Sequence, residues 1–157
     1  MLTTQEIKEW FAGYDACSNL QLKPEIFYEG WDHTYSSPLI RAKLTAQSIQ
    51  KKKIEIREEL REINPLDFLP ENRKNLFLFW ALTCKKLSTS EPTLISNFDK
   101  NIDKFLDEIL KNEHKNILIV SHYFTMYSLQ KSLVKRGFKG PKNDSRGFGK
   151  LYVYERD

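Results

Sequence analysis

The sequence predicts an α/β sandwich built on a mostly parallel β-sheet. Three observations carry that expectation. Ile117-Leu118-Ile119-Val120 is a continuous apolar run of the kind that forms a strand buried on both faces. After Ser90-Glu91-Pro92, the residues Ile95, Phe98, Ile102, Phe105, Leu106 and Ile109 fall on one helical face, while Asp99, Asp103, Lys104 and Asp107 lie elsewhere. Strand-like and helix-like segments then alternate along the chain, which implies crossover connections and parallel pairing.

The elements follow in order. Thr3 is placed to cap a first helix with Glu6 three residues on, and Ile7, Trp10, Phe11 and Tyr14 form its apolar face. A loop containing Pro24 and Gly30 leads to a short strand at Thr34 to Ser36. Ser37-Pro38 opens a second helix whose inner face carries Leu39, Ala42, Ala46 and Ile49. Lys51 to Lys53 end that helix, where cations suit the negative end of the helix dipole. Ile54 and Ile56 alternate with charged neighbours, as in a short edge strand. Pro65 and Pro70 break the chain, and Leu76 to Leu82 reads as a buried helix. A helix from about Phe124 to Arg136 ends at Gly137, and Leu151 to Tyr154 reads as a last strand.

The bulk properties bound the function. With 157 residues the chain fits one domain, residues 1–157, with a substantial core. Its hydrophobic content of 40% and charged content of 29% are those of a soluble globular protein. A net charge of +4 suits an anionic ligand, yet no nucleic-acid motif accompanies it, so no nucleic-acid partner is expected. Cys17 and Cys84 make no C-x-x-C pair, and no Cys/His cluster has zinc spacing, so neither a metal nor a disulfide is expected. The opening Met1 to Glu6 lacks the basic and apolar regions of a signal peptide, and the longest apolar runs are too short for a bilayer span. The expected setting is therefore cytoplasmic, with no membrane partner. Nothing in the sequence sets the oligomeric state.

Two strand–turn–helix units share one layout. In the first, a strand ends at Ser36-Ser37 and a helix opens with Arg41 in its first turn. In the second, the Ile117–Val120 strand ends at Ser121-His122 before another helix. Ligands of open parallel sheets bind beyond the carboxyl ends of the strands, where helix N-termini favour anions. An arginine there grips phosphate bidentately, and a histidine donates to it or moves a proton. Arg41 alone reads more readily as a surface arginine, and His122 alone equally well as a satisfied strand-end histidine; their matching positions favour a site. His33 and His114 read as surface residues.

These residues also carry a likeness. Tyr35-Ser36-Ser37-Pro38-Leu39-Ile40-Arg41-Ala42-Lys43-Leu44-Thr45-Ala46 resembles the S-S-x-L-x-R-A-x-x-T-A pattern of the histidine phosphatases, and Asn116 to His122 resembles that family's second signature. Leu60-Arg61-Glu62-Ile63 is similar to its L-R-E segment, with Glu58 and Glu59 as nearby alternatives. The resemblance implies a three-layer α/β/α sandwich like that of the phosphoglycerate mutases. It further implies that Arg41 and Ser37 bind a phosphoryl group, that His122 stabilises its charge, and that Glu62 protonates the leaving oxygen. It calls for no metal or cofactor. The implied activity is hydrolysis of phosphomonoesters through a phosphohistidine intermediate.

Two departures stand beside that likeness. The family's nucleophilic histidine lies in an Arg-His-Gly segment closing an interior first strand, and this sequence contains no Arg-His pair. The fold is therefore expected to miss that strand and the chain as given to be inactive. Tyr123 also replaces the glycine usual after the second histidine. The alternative to an enzyme is a catalytically degenerate phosphate-binding or protein-interaction domain on the same scaffold. Lys139, Lys142, Arg146 and Phe148 point only to an anionic ligand with an apolar part, and the resemblance implies a small phosphorylated or otherwise anionic molecule without identifying it.

Overall fold

A computed structural model describes residues 2–16, 30–50, 54–63, 74–75, 92–142 and 149–156. The elements run β1 (Leu2–Thr3), α1 (Thr4–Ala16), β2 (His33–Ser36), α2 (Ile40–Ile49), β3 (Ile54–Ile56), a 3-10 turn (Glu58–Leu60), β4 (Lys74–Asn75), α3 (Pro92–Ile109), β5 (Ile117–Val120) and α4 (Tyr123–Lys135). The predicted helix at Leu76 to Leu82, the lysine run Lys51 to Lys53 and the two cysteines lie outside the described residues.

The central sheet has the order β3-β2-β5, with both pairings parallel. Thr34 pairs with Ile54 and Leu118, and Ser36 with Ile56 and Val120, so the three strands end level with one another. Asp32 fixes this register at the amino end, because its Oδ2 accepts the backbone N–H groups of Lys115 (2.8 Å) and Asn116 (2.9 Å). At the carboxyl end the ladder runs on past the strands. Ser37 N–H donates to the Val120 carbonyl and Arg57 N–H to that of Ser36, both at 2.9 Å.

Helices flank the sheet as the sequence predicts. Tyr35 leaves one face to join Leu60, Ile102, Phe105, Leu106, Ile109 and Leu129 in the main core. Ile102, Phe105, Leu106 and Ile109 are the buried residues of the α3 stripe, Leu60 comes from the 3-10 turn and Leu129 from α4. Strand residues alternate in direction, so Thr34 and Ser36 turn to the other face. There α2 packs on all three strands through its buried Ala42 and Ala46, and α1 adds the buried Ile7.

The helix ends follow the chain's chemistry. The Glu6 carboxylate accepts the Thr3 N–H at 2.7 Å while the Thr3 hydroxyl accepts the Glu6 N–H at 3.1 Å, a complete capping box. At the end of α4, Gly137 takes a φ of 85°; its N–H reaches the Val134 carbonyl (3.0 Å) and the Phe138 N–H that of Leu133 (3.1 Å). Those two bonds make a Schellman motif, which needs the left-handed residue that glycine supplies. Between α3 and α4 a polar ladder joins Ser128 and Lys131 to Asp99, and Ser132 and Arg136 to Asp103.

Three expectations need correction, and one pairing is new. Leu151 to Tyr154 is not a strand: its one described pairing is an antiparallel bridge from neighbouring Glu155 to Lys139, and Leu151 and Val153 stay 40% and 51% exposed. The β5 run is only half-buried apart from Leu118, since β2 is its single neighbour among the described strands. The apolar face of α1 buries Ile7 but leaves Trp10 52% exposed, stacked parallel to Tyr14 at 5.8 Å. Finally, β1 pairs antiparallel with β4 in a small separate sheet that the sequence did not announce.

Candidate functional site

The level strand ends place Ser37 and His122 side by side. Ser37 follows β2 directly and is fully buried. Its hydroxyl accepts the Leu39 N–H at 3.3 Å, across the turn into α2, and meets His122 Nε2 at 2.9 Å. His122 is the N-cap of α4, its backbone extended and its carbonyl accepting the Met126 N–H at 2.8 Å. Burial depresses the imidazole pKa to about 4, and the Arg41 charge adds to that effect. The ring is therefore neutral at physiological pH. It carries one N–H and one lone pair, and pairs with the hydroxyl in either tautomer.

Arg41 stands in the first turn of α2 and is 18% exposed. Its Nη1 donates to Asp15 Oδ1 at 2.7 Å and to the Tyr14 carbonyl at 3.1 Å, and its guanidinium carbon lies 4.3 Å from the Tyr14 ring centre. Its electrostatic action on His122 puts the two groups in one neighbourhood, at the carboxyl edge of the sheet.

Glu62 arrives from the other side. The 3-10 turn after β3 carries the chain to the N-terminus of α4, where Glu62 Oε2 accepts the Phe124 N–H at 3.2 Å. Its Oε1 is buried and meets no hydrogen-bond donor among the described residues. Burial raises the carboxyl pKa to about 7, against the opposing pull of backbone N–H groups of Phe124, Thr125 and Ile63. Near neutral pH the group is thus about half protonated. Glu58 and Glu59 lie elsewhere: Glu58 pairs with Arg61 at 2.8 Å and Glu59 with Arg57 at 3.0 Å.

Three residues that sequence reasoning missed hold this arrangement. Ser121 Oγ donates to the Leu60 carbonyl at 2.7 Å and Thr125 Oγ1 to that of Arg61 at 3.4 Å, fastening the Glu62 segment to α4. Asp15 engages Arg41 across 26 positions of sequence. Ser121 is visible in the strand-end motif, but nothing local marks Asp15. His33 and His114 belong to the opposite end of the sheet. They stack at 5.0 Å, with Tyr35 and Glu55 beside His33, and are more sheltered than the expected surface histidines. Among the described residues no cluster of three metal-ligating side chains occurs. No described helix is long and apolar enough to cross a membrane. Lys139 and Lys142 are exposed, while Arg146 and Phe148 lie outside the described residues.

A profile described as "Histidine phosphatase superfamily (branch 1)" matches residues 21–154, nearly the whole chain. The chain belongs to the histidine phosphatase superfamily. The match spans all three segments that carry the likeness, from the Ser36-Ser37 turn through Leu60-Arg61-Glu62 to Ser121-His122. The parallel sheet flanked by helices is that of the phosphoglycerate mutase-like fold. Among curated proteins, the chain is similar to one named "Putative phosphoserine phosphatase 2", from Hydrogenobacter thermophilus. The two are 26% identical over 135 residues, covering 78% of this chain and 66% of the relative, just under two thirds of its length. No solved structure gives a significant match.

Proposed function

We propose that Ser37, Arg41, His122 and Glu62 form a site for phosphomonoesters, with a small phosphorylated molecule as ligand and a cytoplasmic setting. One observation carries this reading: His122 Nε2 lies 2.9 Å from Ser37 Oγ where two parallel strands end, within the field of Arg41. Phosphoryl transfer asks a protein for positioned cations and N–H or O–H donors around the equatorial oxygens. Arg41 supplies the charge, Ser37 and the neutral His122 supply donors, and Glu62 carries the proton for the departing ester oxygen. A carboxyl pKa of about 7 keeps that proton available near neutrality.

The phosphohistidine route of the family needs a second histidine, and the other two of this chain, His33 and His114, stack on each other at the far end of the sheet. That observation favours a second reading, a binding domain without turnover, for the chain as given. Calorimetric titration with inorganic phosphate and vanadate tests the site. Binding is expected, and Arg41→Ala should weaken it by about 1.5–3 kcal/mol, the value of a charge-assisted contact. Unchanged affinity in Arg41→Ala would place the anion elsewhere. An assay on an aryl phosphate separates the readings, because robust turnover by the 157-residue chain would overturn the binding-only one.

A further inference from the structure

The arginine of the proposed site is already engaged by an anion of the chain itself. Asp15 Oδ1 lies 2.7 Å from Arg41 Nη1, the Tyr14 carbonyl accepts from the same nitrogen at 3.1 Å, and the Tyr14 ring lies against the guanidinium at 4.3 Å. All three contacts come from the last turn of α1. Asp15 also acts electrostatically on the His122 ring and on Arg61, so its carboxylate lies near the other groups at this end of the sheet. The contact is not a deeply locked one. The Asp15 side chain is 38% exposed, and a partly exposed ion pair of this kind is exchangeable. A phosphoryl dianion offers the same guanidinium two oxygens and twice the charge.

We propose that the Tyr14-Asp15 turn of α1 is a latch on Arg41, an internal competitor that a phosphoryl ligand displaces when it binds. The proposal rests on the phosphomonoester-site reading. It makes Asp15 a determinant of which anions enter: a dianion outcompetes the carboxylate, whereas a monoanion of equal size does so poorly. The energy released at Arg41 is shared between binding the ligand and freeing the end of α1, so ligand affinity and the order of that helix end are coupled.

The test titrates the parent chain, Asp15→Asn and Arg41→Ala with inorganic phosphate, alongside amide hydrogen exchange of the parent with and without phosphate. Asp15→Asn keeps the shape and removes the charge, and should bind phosphate roughly 2- to 5-fold more tightly, the weight of a partly exposed ion pair. In the parent, phosphate should speed exchange of the amides in the last turn of α1. Equal or weaker binding by Asp15→Asn, with Arg41→Ala still damaging, would mean that Asp15 orients the arginine instead, sinking the latch while sparing the site. An Arg41→Ala chain that binds phosphate normally would sink the site reading itself, and absence of binding in all three chains would remove both. Should Asp15→Asn fold poorly, the exchange experiment decides alone: unchanged or slower exchange in α1 on adding phosphate overturns the latch.

Discussion

Glu62 and His122 are buried at the same helix end and displaced in opposite directions, which gives the stability of this protein a specific pH signature. Burial lifts the Glu62 carboxyl from 4.5 to about 7 and lowers the His122 imidazole from 6.5 to about 4. For Glu62 the folded state holds a proton that the unfolded chain releases above pH 4.5. Its contribution to stability is complete below that pH and is lost as pH rises through about 7. For His122 the unfolded chain binds a proton that the folded state refuses. Its contribution is complete above pH 6.5 and is lost as pH falls through about 4. Each slope is at most about 1.4 kcal/mol per pH unit, so each group is worth about 3 kcal/mol across its window.

The two windows overlap between pH 4.5 and 6.5, and there the slopes cancel. The parent should show nearly constant urea stability across that range as far as these two groups decide it. Glu62→Gln keeps an acceptor for the Phe124 N–H and removes the titration, so its stability should climb with pH as the His122 effect stands alone. His122→Asn should do the reverse and lose stability as pH rises. With urea slopes of about 1–3 kcal/mol per molar, the midpoint of each variant should move by up to roughly 1–3 M across the window, the two in opposite directions. The surface carboxylates lowered by Arg57 and Arg61 act below it and do not blur the comparison. Parallel pH profiles for the two variants would refute the opposed burial of these groups.

Other outcomes follow from single contacts. A Cβ on Gly140 would lie 2.5 Å from the Tyr154 ring and 2.6 Å from the Val153 carbonyl, so Gly140→Ala should cost about 1–3 kcal/mol by chemical denaturation. Gly137→Ala meets nothing closer than 4.0 Å and should lose only the backbone penalty of its positive φ, about 1–2 kcal/mol. Ser121→Ala strips the Leu60 carbonyl of its donor and should cost about 1 kcal/mol, with Glu62 titration shifted in carbon-detected NMR as the segment loosens. Arg57 holds Glu108 through two bonds of 2.6 and 2.7 Å, with Glu59 and Glu55 beside it. Arg57→Gln should destabilise the chain near neutral pH, and the defect should shrink as acid protonates the abandoned carboxylates.

Much of this architecture was legible because its causes are local. The α3 stripe, the Thr3–Glu6 capping box and the Gly137 terminus each depend on residues within a few positions, and periodicity or cap chemistry exposes them directly. The Ser36-Ser37 and Ser121-His122 strand ends were legible for a related reason. A parallel sheet with level strands must bring equivalent turns together, so two similar motifs far apart in sequence become neighbours. What failed was the inference from apolar content to burial. Leu151 and Val153 alternate as strand residues do, and Trp10 and Tyr14 continue the α1 stripe, yet burial needs a partner surface that periodicity cannot supply.

The ionic contacts lay beyond reach for a different reason, and it bears on how the site is built. Arg57 and Arg136 sit in the sequence as ordinary basic residues, and Arg41, which the sequence marks as an anion ligand, carries no mark of a partner within the chain. Sequence spacing does not distinguish Asp15, 26 positions from Arg41, from any other acid of the chain. Folding makes the choice, because α1 packs against α2 and carries its last turn to the place where α2 begins. The same packing that buries Ile7 therefore delivers a carboxylate to the arginine of the proposed anion site. An arginine left without an anion at the positive end of a helix would be unfavourable, and the fold satisfies it with Asp15. The residue most exposed to competition from a ligand is thus one that the core, through Ile7 and α1, helps to place.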